Sequence, residues 1–104
     1  MARVEIFSGI CGFSTTVEAR MAGRRCALSI VSGCENVKNL GAELTEVAPL
    51  REITYRGEGP LTFKLAAKHC PHPACPVPPG IIKAVEVAAG LALPADVTIK
   101  VSAS

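Results

Sequence analysis

A chain of 104 residues, 49% of them hydrophobic, can close one core and bury roughly two thirds of the surface its unfolded form exposes, so a single domain over residues 1–104 is expected and no disulfide staple is demanded. Aromatic residues make up only 4%, which leaves little to stack on a nucleobase, and the eleven Lys and Arg are scattered among nine Asp and Glu with Arg24-Arg25 the only adjacent basic pair, so nucleic acid is not an expected partner. No stretch approaches the roughly 20 apolar residues of a membrane span, and Glu5 interrupts Met1 to Phe7 before that segment could act as a signal peptide; a cytoplasmic chain with reduced thiols is the expectation, and a protein partner is left open.

Arg3 to Phe7 is short, β-prone and closed by Ser8-Gly9, the pattern of a first strand. From Phe13 to Met21 the residues alternate, with Phe13, Thr15, Val17, Ala19 and Met21 on one side and Ser14, Thr16, Glu18 and Arg20 on the other, which is the period of a half-buried strand. Ala22-Gly23-Arg24 supplies a turn, and Cys26, Leu28 and Ile30 alternate with Ala27, Ser29 and Val31 in a return strand, placing Cys26 inward as a small hydrophobe. Ser32 followed by Glu35 has capping-box spacing, and Val37, Leu40, Gly41 and Leu44 recur at helical intervals, which predicts a helix from about Gly33 to Leu44 with Ser32 as its cap. Residues 45–56 carry mixed signals and are left unassigned.

Gly59-Pro60 marks a second helix start, with the imide nitrogen placed where no donor is needed, and Leu61, Leu65 and Ala66 share a face up to about His69. Pro71, Pro73, Pro76, Pro78 and Pro79 break regular structure, after which Ile81, Ile82, Val85, Ala88 and Ala89 outline an amphipathic helix that stops at Gly90. Val97, Ile99 and Val101 alternate as a last strand. The order β-β-β-α-α-α-β predicts an α+β domain of two layers, with helices on one face of a mostly antiparallel sheet.

The chemistry sits at the breaks between these elements. Four of the five cysteines, Cys11, Cys34, Cys70 and Cys75, fall there, and both histidines lie in the run His69-Cys70-Pro71-His72-Pro73-Ala74-Cys75. Cys34 is placed in a first helical turn, where free amides and the helix dipole favour a thiolate, the form that both nucleophilic and metal chemistry need. The H-C-x-H-x2-C run offers soft ligands suited to zinc or iron on a backbone stiffened by proline, although the spacing is not that of a standard zinc finger and no second knuckle follows. If the element ends meet at one edge of the sheet, Cys11, Cys34 and Cys75 converge, with His72 or Cys70 as a further ligand.

Cys11-Gly12-Phe13-Ser14 is identical to the active-site tetrapeptide of monothiol glutaredoxins, whose cysteine ligates an iron-sulfur cluster, and Val77-Pro78 is similar to that family's glutathione-binding loop. The rest departs from it: Phe13 to Met21 alternates as a strand where the family opens a helix, and no basic residue stands between Phe7 and Cys11. Over nearly its whole length the chain instead resembles a family of short uncharacterised proteins of anaerobic bacteria and methanogenic archaea, through Cys11-Gly12-Phe13, Ser32 with Cys34-Glu35, and His72-Pro73-Ala74-Cys75-Pro76-Val77-Pro78 followed by Lys83, Glu86 and Leu93-Pro94. That resemblance implies oxygen-poor metabolism and no particular activity.

The expectation that follows is a protein that binds zinc or an iron-sulfur cluster through Cys11, Cys34 and Cys75, aided by His72 or Cys70, for carriage, sensing or docking. A lack of paired carboxylates, of a Gly-rich phosphate loop and of any histidine outside the proline-rich run weighs against an enzyme. The alternatives are a thiol redox protein or enzyme in which Cys34 reacts and Cys75 or Cys11 resolves it, and an interaction domain without chemistry.

Overall fold

A computed structural model describes residues 1–103. Three strands, β1 (Ala2–Phe7), β2 (Ser14–Ala22) and β3 (Arg25–Ser32), are followed by helix α1 (Glu35–Glu43), a two-residue strand β4 (Glu46–Val47), the single turn α2 (Pro49–Glu52), and helices α3 (Leu61–His69) and α4 (Val77–Ala88). The sheet is an antiparallel meander in the order β1-β2-β3-β4. Among the described residues, no helix is long and apolar enough to cross a membrane.

Alternation along β2 and β3 does what it predicts. Thr15, Val17 and Ala19 and, on β3, Cys26 and Leu28 are buried under the helices, while Ser14, Arg20, Ser29 and Val31 are exposed on the other face. The helices cover one face, giving the expected two-layer α+β architecture, with α4 over β1 and β2, α1 over β3, and α3 between them. Leu40, Leu44, Ile81, Val17 and Val85 form the middle of the core.

Two helical glycines set how closely the layers approach. A Cβ on Gly41 would stand 3.0 Å from the Ile30 Cβ, and one on Gly80 would stand 2.4 Å from the Ile6 Cδ1, so α1 and α4 lie on the sheet at distances that only hydrogen allows.

Segment 45–56, unassigned from sequence, carries β4 and α2, and its buried Glu52 orders the start of α3. The Glu52 carboxylate accepts the Leu61 and Thr62 amides at 3.0 Å each and the Thr62 hydroxyl at 2.6 Å. It therefore caps α3 from the preceding turn, replacing the side-chain cap that Pro60 cannot provide.

Two expectations are corrected. Ser32 does not cap α1: it ends β3, its hydroxyl is bonded to Thr15 Oγ1 across the strand pair at 2.7 Å, and it accepts the Cys34 amide at 3.1 Å, which leaves Cys34 at the N-cap and Glu35 as the first helical residue. A cross-strand partner holding the hydroxyl in place outweighs a local capping box. The last strand also fails to join the sheet. Residues 92–103 have no regular structure, and every residue from Gly90 to Ala103 is exposed. Alternation makes a segment fit to pair without supplying the edge it pairs with.

Candidate functional site

The strand register gathers four element ends. Phe7 pairs with Ser14 and Thr15 with Ser32, so the loop carrying Cys11 and the β3-to-α1 link carrying Cys34 leave the sheet at the same end. The Gly33 amide reaches Ser14 O at 3.3 Å, and a Cβ on Gly33 would lie 3.2 Å from the Phe13 ring, which fixes that link against the first hairpin. Gly80 packs on Ile6, near the end of β1, and so brings the start of α4, with Cys75 just before it, to this end as well.

Cys70 lies near enough to Cys34 and Cys75 for the charge of each to bear on it. Cys34 is the N-cap of α1, Cys70 the C-cap of α3, with its amide on Ala66 O at 2.7 Å, and Cys75 closes a turn through its amide on His72 O at 3.2 Å. Cys70 is buried, and Cys34 and Cys75 are half-buried against the core edge. Burial pushes the Cys70 thiol above its ordinary pKa, and negative charge on Cys75 and on Cys34 raises it further. The three cysteines come from three segments of the chain.

The other predicted ligands are placed differently. Cys11 lies in a short 3-10 turn (Gly9–Cys11), exposed, with its Sγ 3.9 Å from Ser8 O; it shares the end of the sheet but points outward. His72 is exposed on the proline-rich loop. His69, in the same run, is held away by Glu43, whose Oε1 lies 2.9 Å from both His69 Nε2 and Lys68 Nζ; these hydrogen bonds hold the Glu43 carboxyl below the usual range. Among the described residues, no three His, Cys, Asp or Glu side chains already stand in ligating positions. Cys26, as expected, is buried in β3, far along the strand from this corner.

A second concavity of about 270 Å³ opens beside α4, lined by Tyr55, Phe63, Pro79, Ile82 and Lys83. Tyr55 stacks on Phe63 with ring centroids 5.8 Å apart, and the buried carboxylate at its edge, Glu52, already serves α3. Thr54, Lys83 and Glu86 supply the remaining polar groups of its lining.

Residues 2–101 match the model of a family of unknown function, DUF6951. The chain belongs to that family. No curated protein and no solved structure matches it.

Proposed function

We propose that the protein binds a soft transition-metal ion or an iron-sulfur cluster at the Cys34, Cys70 and Cys75 corner, for carriage or sensing in an oxygen-poor cytoplasm. One observation supports the reading: Cys70, at the end of α3, feels the charge of Cys34 at the start of α1 and of Cys75 in the loop before α4, in a chain whose remaining cysteines are a core residue and an exposed one. A thiolate at Cys34 or at Cys75 opposes the ionisation of Cys70, and a divalent cation bound among the three would reverse that opposition and release their protons.

Zinc or iron bonds to sulfur at about 2.3 Å, so the three sulfurs must close to within roughly 4 Å of each other. Cys70 is buried against the core, so that adjustment falls to the half-buried Cys34 and Cys75. A fourth ligand comes from His72, which shares the loop with Cys70 and Cys75, or from Cys11 across the end of the sheet.

Anaerobic titration of the metal-free protein with cobalt(II) tests the proposal. The expected result is one equivalent bound, with a sulfur-to-cobalt charge-transfer band that is lost when Cys34, Cys70 and Cys75 are all replaced by Ser and kept when Cys26 is. No band, or a band that survives the triple replacement, would overturn it.

A further inference from the structure

From Gly90 onward every described residue is exposed, including Leu93, Val97, Ile99 and Val101, and no backbone hydrogen bond within the described residues involves residues 92–103. Val97 to Val101 is nonetheless the best alternating β-segment outside the sheet, with its apolar residues on one side and Thr98 and Lys100 on the other. A strand sequence whose apolar residues stand mostly in water keeps its capacity to pair and to be buried.

The sheet has an edge to match. At one side β4 is only two residues long and runs into α2, so little backbone is left open. At the other side β1 pairs with β2 alone, over six residues in unbroken register, without a bulge, a proline or an inward charge to discourage a further strand. Its inner face presents Val4 and Ile6, only half covered by α4, and its outer face presents the exposed Arg3, Glu5 and Phe7.

We propose that Val97 to Val101 of one copy adds to the free edge of β1 in a second copy, with the exchange made reciprocally in a two-fold dimer. Side-chain alternation fixes the pairing in either strand direction. With Lys100 opposite Glu5, Ile99 and Val101 fall on the same face as Val4 and Ile6 and extend the apolar layer beneath α4, whereas a slip of one residue would turn that face to water. The charges agree with this register: Glu5 already meets Arg3 at 3.1 Å through Oε1, and both Arg3 contacts use that oxygen, leaving Oε2 for the Lys100 ammonium. The occupant is a second copy because beyond Leu91, whose amide reaches Glu86 O at 2.9 Å, the described tail makes no backbone hydrogen bond to its own domain, and because strand and edge are each unpaired on every copy, which is the condition for a closed symmetric exchange.

Light scattering after size-exclusion chromatography, over a concentration series, tests this with the full chain. The wild type is expected as a dimer. Ile99→Glu should raise the dissociation constant at least about a hundredfold, since each dimer buries two of these side chains, and because Ile99 is 76% exposed in the single chain the far-ultraviolet circular dichroism should not change. Glu5→Lys should weaken the dimer about tenfold, and adding Lys100→Glu to it should restore most of that loss. A wild type that stays monomeric, or a dimer indifferent to Ile99→Glu, overturns the exchange. A dimer broken by Ile99→Glu yet indifferent to Glu5→Lys places the tails on each other and overturns the docking on β1.

Discussion

Cys26 and Cys70 are both buried cysteines whose thiols are pushed above the ordinary pKa mainly by loss of solvent, yet their surroundings are opposite in kind. Around Cys26, in the β2–β3 hairpin, a backbone hydrogen bond from Arg20 and the positive charge of the chain's amino terminus pull the pKa part of the way back. Around Cys70, at the α3 end, the only other influences are Cys75 and Cys34, which push it further up. Burial alone makes a thiol inert; what separates a core filler from a candidate ligand is the charge that its neighbours would share with it. The comparison can be broken at three levels.

The largest difference expected is in metal affinity. Cys70→Ala should weaken cobalt(II) or zinc binding by at least about a hundredfold, since one of three anchoring thiolates is lost, while Cys26→Ser should leave affinity unchanged and lower stability by about 1–3 kcal/mol through its buried hydroxyl. Competition with a chromophoric chelator and urea denaturation measure the two. Equal losses of affinity in both variants would erase the distinction.

Alkylation comes next. In the metal-free protein at neutral pH, exposed Cys11 should react first, half-buried Cys34 and Cys75 after it, and Cys70 and Cys26 only through opening of the fold, which mass spectrometry of the digested protein resolves. Bound metal should protect Cys34, Cys70 and Cys75 and leave the rate of Cys11 as it was unless Cys11 is the fourth ligand. Modification of Cys26 before Cys34 would contradict the burial on which the contrast rests.

The smallest effect is on stability against pH. Below the ordinary thiol value of 9.0, Cys26 and Cys70 are protonated in folded and unfolded chains alike, and no difference arises. As pH rises past that value the unfolded chain gives up its protons first, so the folded state loses stability until the raised folded pKa values are passed. Denaturation of the metal-free protein at increasing pH should show this decline, and Cys34→Ala should make it shallower by removing one of the charges that bear on Cys70. A Cys34→Ala profile as steep as the wild type would mean that Cys34 stands too far away to matter.

Much of the fold was legible because it rests on strict periods. Val17, Ala19, Cys26 and Leu28 alternate into the core, and Ile81, Ile82 and Val85 return at helical spacing, so the sheet and α4 follow from the residues themselves. Ser32 was misread because a capping box is a local pattern, and its hydroxyl is held by Thr15, a residue 17 positions earlier that only strand pairing brings near. Glu52 was missed for the same reason: nothing near it in sequence announces that its carboxylate will close the start of a helix several residues on. The site was legible in part. Cysteines at element breaks put Cys11 and Cys34 at one end of the sheet, but the turn that leaves Cys11 exposed and the Glu43 contact that holds His69 depend on tertiary neighbours.

Gly80 gives this corner a mechanical reference that contains no sulfur. A Cβ at residue 80 would meet the Ile6 side chain at 2.4 Å, so the first turns of α4, with Cys75 just before them, rest on the sheet through one hydrogen-sized gap. A methyl group added at residue 80 would act as a shim, either turning the Ile6 side chain aside or lifting the start of the helix and the loop that carries Cys75. The positional tolerance of the thiols is in this sense set at β1, the strand whose outer edge is the one left open.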